Sequence, residues 1–219
     1  MSAAPQDGTG PRRAAFSFGF ERDWPGYFEA VAGQPARETV VDAIARFEGG
    51  GAGLRAVDLG CGEGRDTVEL LRRGWRVTAI DGHPEALRIL EARSDLIGRD
   101  RLELVHGQLE DVEIPVAELV SSSFTLPFCP PECFERLWGR LTSAIVPGGR
   151  FCGQLFGERD TWASIADRSH HTRSEVEAML AGFEIELLRE DESDAEDATG
   201  VRKHWHVYHI VARKPGGAS

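Results

Sequence analysis

The stretch that most constrains this 219-residue chain is Leu54 to Asp81, LRAVDLGCGEGRDTVELLRRGWRVTAID. An apolar run leads into Gly60, Gly62 and Gly64 at alternate positions, a helical pattern follows, and a second apolar run ends on Asp81. Glycine leaves main-chain atoms uncovered and accepts backbone angles closed to other residues, so a strand, a glycine turn and a helix let a ligand approach the backbone closely. An acid ending the next strand is placed to accept hydrogen bonds from two ribose hydroxyls. The spacing therefore predicts a nucleoside site at the carboxyl edge of a sheet.

The rest of the chain repeats the same alternation. PARETVVDAIARFEGGG carries Val40, Val41, Ile44 and Phe47 on one helical face, with Pro35 near its start and glycines after its end. After the glycine stretch come a helix, PEALRILEARS, and two strands, LELVHG and VAELVSSSF. PECFERLWGRLTSAI places Phe134, Leu137, Trp138, Leu141 and Ile145 at helical spacing before the turn PGG, and RFCGQLFG is a further strand. Thr172 and Glu175 have capping-box spacing, which predicts one more helix. EIELLRED and HWHVYHIVARK read as two last strands, joined by an acidic loop from Glu190 to Gly200. Repeated strand-helix units imply a parallel sheet covered on both faces. The expected fold class is α/β: a Rossmann-like, doubly wound sheet, mostly parallel with an antiparallel last strand. Residues 1–15 read as a disordered tail, 16–215 as one domain with an N-terminal helical segment, and 216–219 as a second tail.

Composition excludes several partners. A net charge of -11 repels a phosphate backbone and no Lys/Arg block offsets it, so no nucleic acid partner is expected. No window supplies the ~18 consecutive apolar residues of a membrane span, and no apolar leader opens the chain, so a cytoplasmic protein without a membrane partner is expected. Cys61, Cys129, Cys133 and Cys152 are scattered among core-like segments and read as free thiols. Cys129 and Cys133 flank two prolines with no paired Cys/His cluster nearby, and no metal site is expected. The oligomeric state is left open.

Two ligand classes suit a glycine turn with a ribose acid. A dinucleotide fingerprint needs a third glycine where Arg65 stands, and Asp58 would face an anionic pyrophosphate unfavourably. The same carboxylate suits a ligand with an ammonium group, a ribose and no phosphate, which describes S-adenosylmethionine. Asp58 to Gly64 matches Asp/Glu-x-Gly-x-Gly-x-Gly, and on this motif the chain resembles the class I S-adenosylmethionine-dependent methyltransferases. The Gly64-Arg65-Asp66 continuation is similar to that of the tellurite-resistance type and related small-molecule methyltransferases. The resemblance runs from the region of Trp24 to Lys214. It implies that Asp58, Gly60, Cys61 and Gly62 lie against the methionine and ribose, that Asp81 with Gly82 holds the ribose, and that Gln108, Leu109 and Glu110 hold adenine. Asp66, in a helix's first turn, has macrodipole compensation as its alternative role.

A sulfonium methyl needs an aligned nucleophile, and a base only where the acceptor must lose a proton. Four segments are expected near the acceptor. SSSFTLPFCPP begins at Ser121, an expected cofactor contact, and lacks the paired prolines of amino-group methyltransferases, while Phe124 and Phe128 are either acceptor walls or core. GERDTWASIADRSHHT supplies Trp162 as a wall and His171 as a candidate base, with a solvated residue beside the Thr172 helix start as the alternative. Trp24 and Tyr27 either cover the cofactor or brace the sheet. RKHWH begins the last strand, where Lys203, His204 or His206 is expected to orient or deprotonate an acceptor. By the two-residue period, His204 and His206 share one face while Lys203 and Trp205 share the other. The functional expectation is methyl transfer to a small molecule, yielding S-adenosylhomocysteine. The alternative is a non-catalytic, S-adenosylmethionine-binding accessory protein.

Overall fold

The computed structural model describes residues 23–216. The sequence-predicted tail at 1–15 and the final residues 217–219 lie outside the described residues. The chain enters through helices α1 (Trp24–Val31) and α2 (Glu38–Ala45). It then alternates β1 (Arg55–Leu59), α3 (Arg65–Arg72), β2 (Arg76–Asp81), α4 (Pro84–Ala92), β3 (Leu102–His106), β4 (Ala117–Ser122), α5 (Pro131–Ala144) and β5 (Ile145–Gly157). The two-residue β6 (His170–His171), α6 (Arg173–Met179), β7 (Glu184–Glu196) and β8 (Arg202–Arg213) complete it.

The strands form one eight-stranded sheet in the order β3-β2-β1-β4-β5-β8-β7, with β6 pairing β5. Pairs from β3 to β5 are parallel, whereas β8 runs antiparallel to both β5 and β7. Strand periodicity sorts the core into two layers. Val57, Leu59 and Ile80 meet Phe134, Leu137 and Leu141 of α5 on one face. Ala56, Val77 and Ala79 meet Ile44 of α2, Leu71 of α3 and Leu90 of α4 on the other. Helices on opposite faces leave from β1 and β4, so the order reverses between them and opens a crevice at their carboxyl ends.

Two boundaries differ from the sequence reading. β5 begins at Ile145 and absorbs the predicted PGG turn, with an irregular register against β4 between Ala117 and Leu119. The predicted acidic loop from Glu190 to Gly200 is mostly strand, because the β7/β8 ladder continues to the Glu196–Arg202 pair. Glu190 and Glu192 alternate onto one face and meet Arg159, His204 and His206, which offsets the charge that reads as a solvated loop. Only the tip turns, where Asp197 accepts from the amides of Thr199 (2.9 Å) and Val201 (3.1 Å) and Gly200 takes a φ of 84°. The capping box forms as read, with Thr172 and Glu175 each bonding the other's backbone N–H. Among the described residues, no helix is long and apolar enough to cross a membrane, and the four cysteines are free.

Candidate active site

The glycine turn sits at the crevice. Gly60 has a φ of 76°, and a Cβ there would lie 2.1 Å from the side chain of Thr125, so only glycine lets the β4 loop close against β1. Gly62 has a φ of 54°, and the nearest atom to a Cβ there would be the ring of Phe28 at 3.7 Å, so its bare side remains open as a cradle. Its amide donates to Asp81 Oδ2 (2.9 Å), while the amide of His83 donates to Oδ1 (2.8 Å). Burial raises the Asp81 pKa and these two bonds oppose the rise. Each oxygen keeps lone-pair capacity for a further donor.

The described residues surround a cavity of about 1050 Å³. That is the upper end of the ~300–1,000 Å³ typical of small-molecule sites, with room for a nucleoside and a second ligand. Asp58, Gly60, Cys61, Gly62, Asp81, Gly82, Gln108, Leu109 and Glu110 all line it, as do Trp24 and Tyr27 of α1. Ser121 does not. It is buried behind the site, where its hydroxyl donates to Asp58 Oδ1 (3.2 Å) while Thr67 donates to Oδ2 (2.6 Å).

Asp58, Glu63 and Asp66 are 1%, 3% and 3% exposed. Among the described residues, no Lys or Arg side chain forms an ion pair with any of them; Asp66 accepts the Arg37 amide (2.7 Å) and Glu63 Oε1 has no partner. Burial and then Asp66 push the Asp58 pKa up to about 7, against the bonds from Thr67 and Ser121. A cation bound here would restore the charged form.

The other half of the cavity is aromatic. Phe124 is the one non-glycine residue with positive φ among those described, at 56°. Such backbone costs ~1–3 kcal/mol and persists only where its surroundings enforce it. The Phe124 amide donates to Gln154 Oε1 (3.1 Å), and Gln154 Nε2 donates to Thr39 (2.9 Å). This holds the Phe124 ring with its centroid 6.2 Å from Phe156 and His209 and 6.3 Å from Trp205, beneath the Arg37 guanidinium at 4.5 Å. Phe128 packs on Trp24, Phe156 and Trp162. Arg168 lies over Phe128 and Trp162. α1 bridges the two halves, with Phe28 against His83 at 5.7 Å and Trp24 against Phe128 at 5.2 Å.

A family model described as a methyltransferase domain matches residues 56–149, which hold the glycine turn, Asp81 and Phe124. Residues 56–149, less than half of the chain, are thus similar to a methyltransferase domain. Over 139 residues, 61% of this chain, the sequence is 32% identical to a carboxy-S-adenosyl-L-methionine synthase of Shewanella sp. (strain MR-7), and the chain spans only 54% of that relative's length. In solved structures, TehB from Haemophilus influenzae superposes with a TM-score of 0.68 at 17% identity, covering 81% of this chain and 62% of that one. Magnesium protoporphyrin IX methyltransferase (ChlM) from Synechocystis PCC 6803, with bound S-adenosylhomocysteine, gives 0.65 at 15% identity, covering 87% and 94%. These two likenesses establish a shared fold.

At the cavity, the sequence-predicted acceptor residues divide. Phe124, Phe128 and Trp162 line the cavity. The four candidate bases do not line it. Lys203 shares Trp205's side of β8 but lies buried behind the indoles, its Nζ 3.5 Å from the Trp162 ring and 3.8 Å from Trp205, paired to Asp160 at 2.5 Å. Burial lowers its pKa and Asp160 opposes this. His204 stands outside between Asp194 (2.8 Å) and Glu192 (2.9 Å). His206 is buried against β5, accepting from the Arg159 amide (3.2 Å) and facing Glu190 (2.9 Å). His171 packs on Phe134 at 4.5 Å, where burial pulls its pKa down to about 4. The two-residue period itself holds, but the cavity adjoins the odd-numbered side of β8, so His204 and His206 point away from it. Sequence reading missed Arg37, Phe156, Asp191, Trp205 and His209, all on the cavity wall. His209 had a signal, since the same period counted on from Trp205 reaches it.

Proposed function

We propose that the chain binds S-adenosylmethionine at the glycine turn and transfers its methyl group to a small-molecule acceptor among the aromatic side chains. The observation that carries this reading is one cavity joining a pinned acid and a patch of buried acids without ion-pair partners among the described residues to an aromatic chamber. The residues fit the cofactor: Gly62 offers an open cradle, Asp81 keeps free lone pairs, and three buried acids favour a cation over a pyrophosphate. When bound, S-adenosylmethionine supplies a methyl group already activated for in-line displacement.

Asp81 accepts the ribose hydroxyls. Asp58, steadied by Thr67 and Ser121, favours the ammonium, and the Arg37 guanidinium, which forms no ion pair among the described residues, is suited to the carboxylate. Gln108, whose side-chain amide donates to the Gly82 carbonyl (2.9 Å), ties the adenine segment to the ribose segment. The aromatic chamber excludes water and orients the acceptor.

Calorimetric titration tests the reading. S-adenosylmethionine and S-adenosylhomocysteine should bind and NAD should not, and Asp81→Ala should weaken binding on the order of 100-fold, the worth of lost charge-assisted hydrogen bonds. Mass spectrometry of turnover mixtures then separates three outcomes. Methylated acceptor with S-adenosylhomocysteine supports the proposal. Binding without consumption indicates the accessory-protein alternative. A carboxylated derivative of S-adenosylmethionine would indicate the chemistry named for the Shewanella relative.

A further inference from the structure

We propose that the acceptor is a planar hydroxylated molecule of the phenol or enol class, and that His209, oriented by Asp191, takes its proton. This rests on the methyl-transfer reading and deepens it. His209 lines the cavity on the same side of β8 as Trp205 and Val207, one ring away from Phe124. Its Nε2 stands 3.3 Å from Asp191 Oδ2, and this carboxylate favours a proton on Nε2, with Nδ1 as the accepting nitrogen. Asp191 is itself fixed by Arg189 Nε at 3.0 Å, and Arg189 continues to Glu38 at 3.2 Å.

The chamber walls select the shape. Phe124, Phe156, Trp162 and Trp205 form a chain of rings with centroids 5.6–6.3 Å apart, suited to stacking a flat body. Charge selects the group. Arg37 lies over Phe124 and Arg168 over Phe128 and Trp162, so guanidinium groups back these rings, whereas Lys203, over Trp162 and Trp205, is balanced by Asp160. That field favours a developing oxyanion and disfavours a protonated amine. The charged groups facing His209 are Asp191 and Arg189 from β7, Glu38 of α2 and Arg37 just before that helix. Burial and then Arg189 lower its pKa, which keeps the imidazole neutral and able to accept at neutral pH.

In the step itself, the acceptor O–H bond breaks and its proton passes to His209. The freed oxygen pair forms the O–C bond to the methyl group as the C–S bond breaks, and that bond's electrons remain on sulfur in S-adenosylhomocysteine. The proton then leaves His209 for solvent.

The test uses the full chain with two phenols: one with a pKa near that of tyrosine, ~10, and a nitrophenol largely ionised at the assay pH. His209→Asn should lower kcat/KM for the un-ionised phenol by ~10²–10⁴ and for the ionised one by less than ~10-fold. Asp191→Asn should show the same contrast at smaller size, which keeps the test available should the first variant fold poorly. S-adenosylhomocysteine affinity, read by calorimetry, should stay within about twofold in both. Equal losses on the two phenols would overturn the role of His209. Intact cofactor binding with no methylation of any phenol would overturn the acceptor class while leaving the cofactor reading in place. Absent cofactor binding would remove both.

Discussion

The two halves of the cavity are built in opposite ways. The glycine half consists of main chain and carboxylates drawn from one stretch, Asp58 to Asp81, and its geometry is local: a turn, two backbone amides on one acid, and buried acids without ion pairs among the described residues. The aromatic half draws Phe124, Phe156, Trp162, Trp205 and His209 from three segments, and long-range contacts hold it: the Gln154 bridge from Phe124 to Thr39 and the Lys203–Asp160 pair behind the indoles. A cofactor site of the first kind can persist while a chamber of the second kind is rebuilt for another acceptor. The difference predicts that the halves fail separately.

The largest effect is expected at the brace of the aromatic half. Lys203→Met leaves the Asp160 carboxylate buried without its cation and should destabilise the chain by ~3–5 kcal/mol. A melting curve reads this as ~2–4 °C per kcal/mol for a chain of this size. A loss below about 1 kcal/mol would mean that the pair is solvated like a surface bridge.

Next comes the chamber wall. Phe124→Ala should cut acceptor kcat/KM by ~10–100-fold, the range for losing apolar substrate contacts, with S-adenosylhomocysteine affinity nearly unchanged. A matching loss of cofactor affinity would show that the halves are one unit.

The smallest effect sharpens the glycine half. The Asp58 pKa lies near 7 in the native chain, above the ordinary carboxylate value of ~3.9, so carrying the charge costs native stability. Through this group, stability is greatest in acid and falls as pH rises from about 4 to about 7. Asp58→Asn should remove that decline, raising the melting temperature at pH 8 by a few degrees while weakening S-adenosylmethionine binding. In the unsubstituted chain, that binding should weaken as pH falls below about 7. A variant with the same pH slope as the original chain would locate the cost elsewhere.

The same contrast governs what was legible beforehand. The glycine half was legible because its residues are close in sequence and spaced by one turn and one strand-helix unit, and Asp58, Gly60, Gly62 and Asp81 all reach the cavity. Ser121 reads as a cofactor contact but stands one layer back, holding Asp58, since the cavity is reached only at Ser123, one two-residue period further along the chain. In the aromatic half, Phe124, Phe128 and Trp162 were legible as large rings on loops at the correct sheet edge. The basic residues were not, because the period of β8 separates two faces without saying which one adjoins the cavity. His204 and His206 fall on the side that zips to Glu190 and Glu192, and Lys203 is drawn behind the rings by Asp160. Alternating acids between Glu190 and Glu196 looked like a loop because their partners Arg159, His204 and His206 lie far away along the chain.

The most direct test of a two-part cavity is the crystal structure of the full chain with S-adenosylhomocysteine. The account predicts the ribose on Asp81, the amino acid portion between Asp58 and Arg37, and the sulfur facing an open chamber walled by Phe124, Trp205 and His209. A ligand that placed its ribose away from Asp81, or that filled the aromatic chamber with its own adenine, would contradict it.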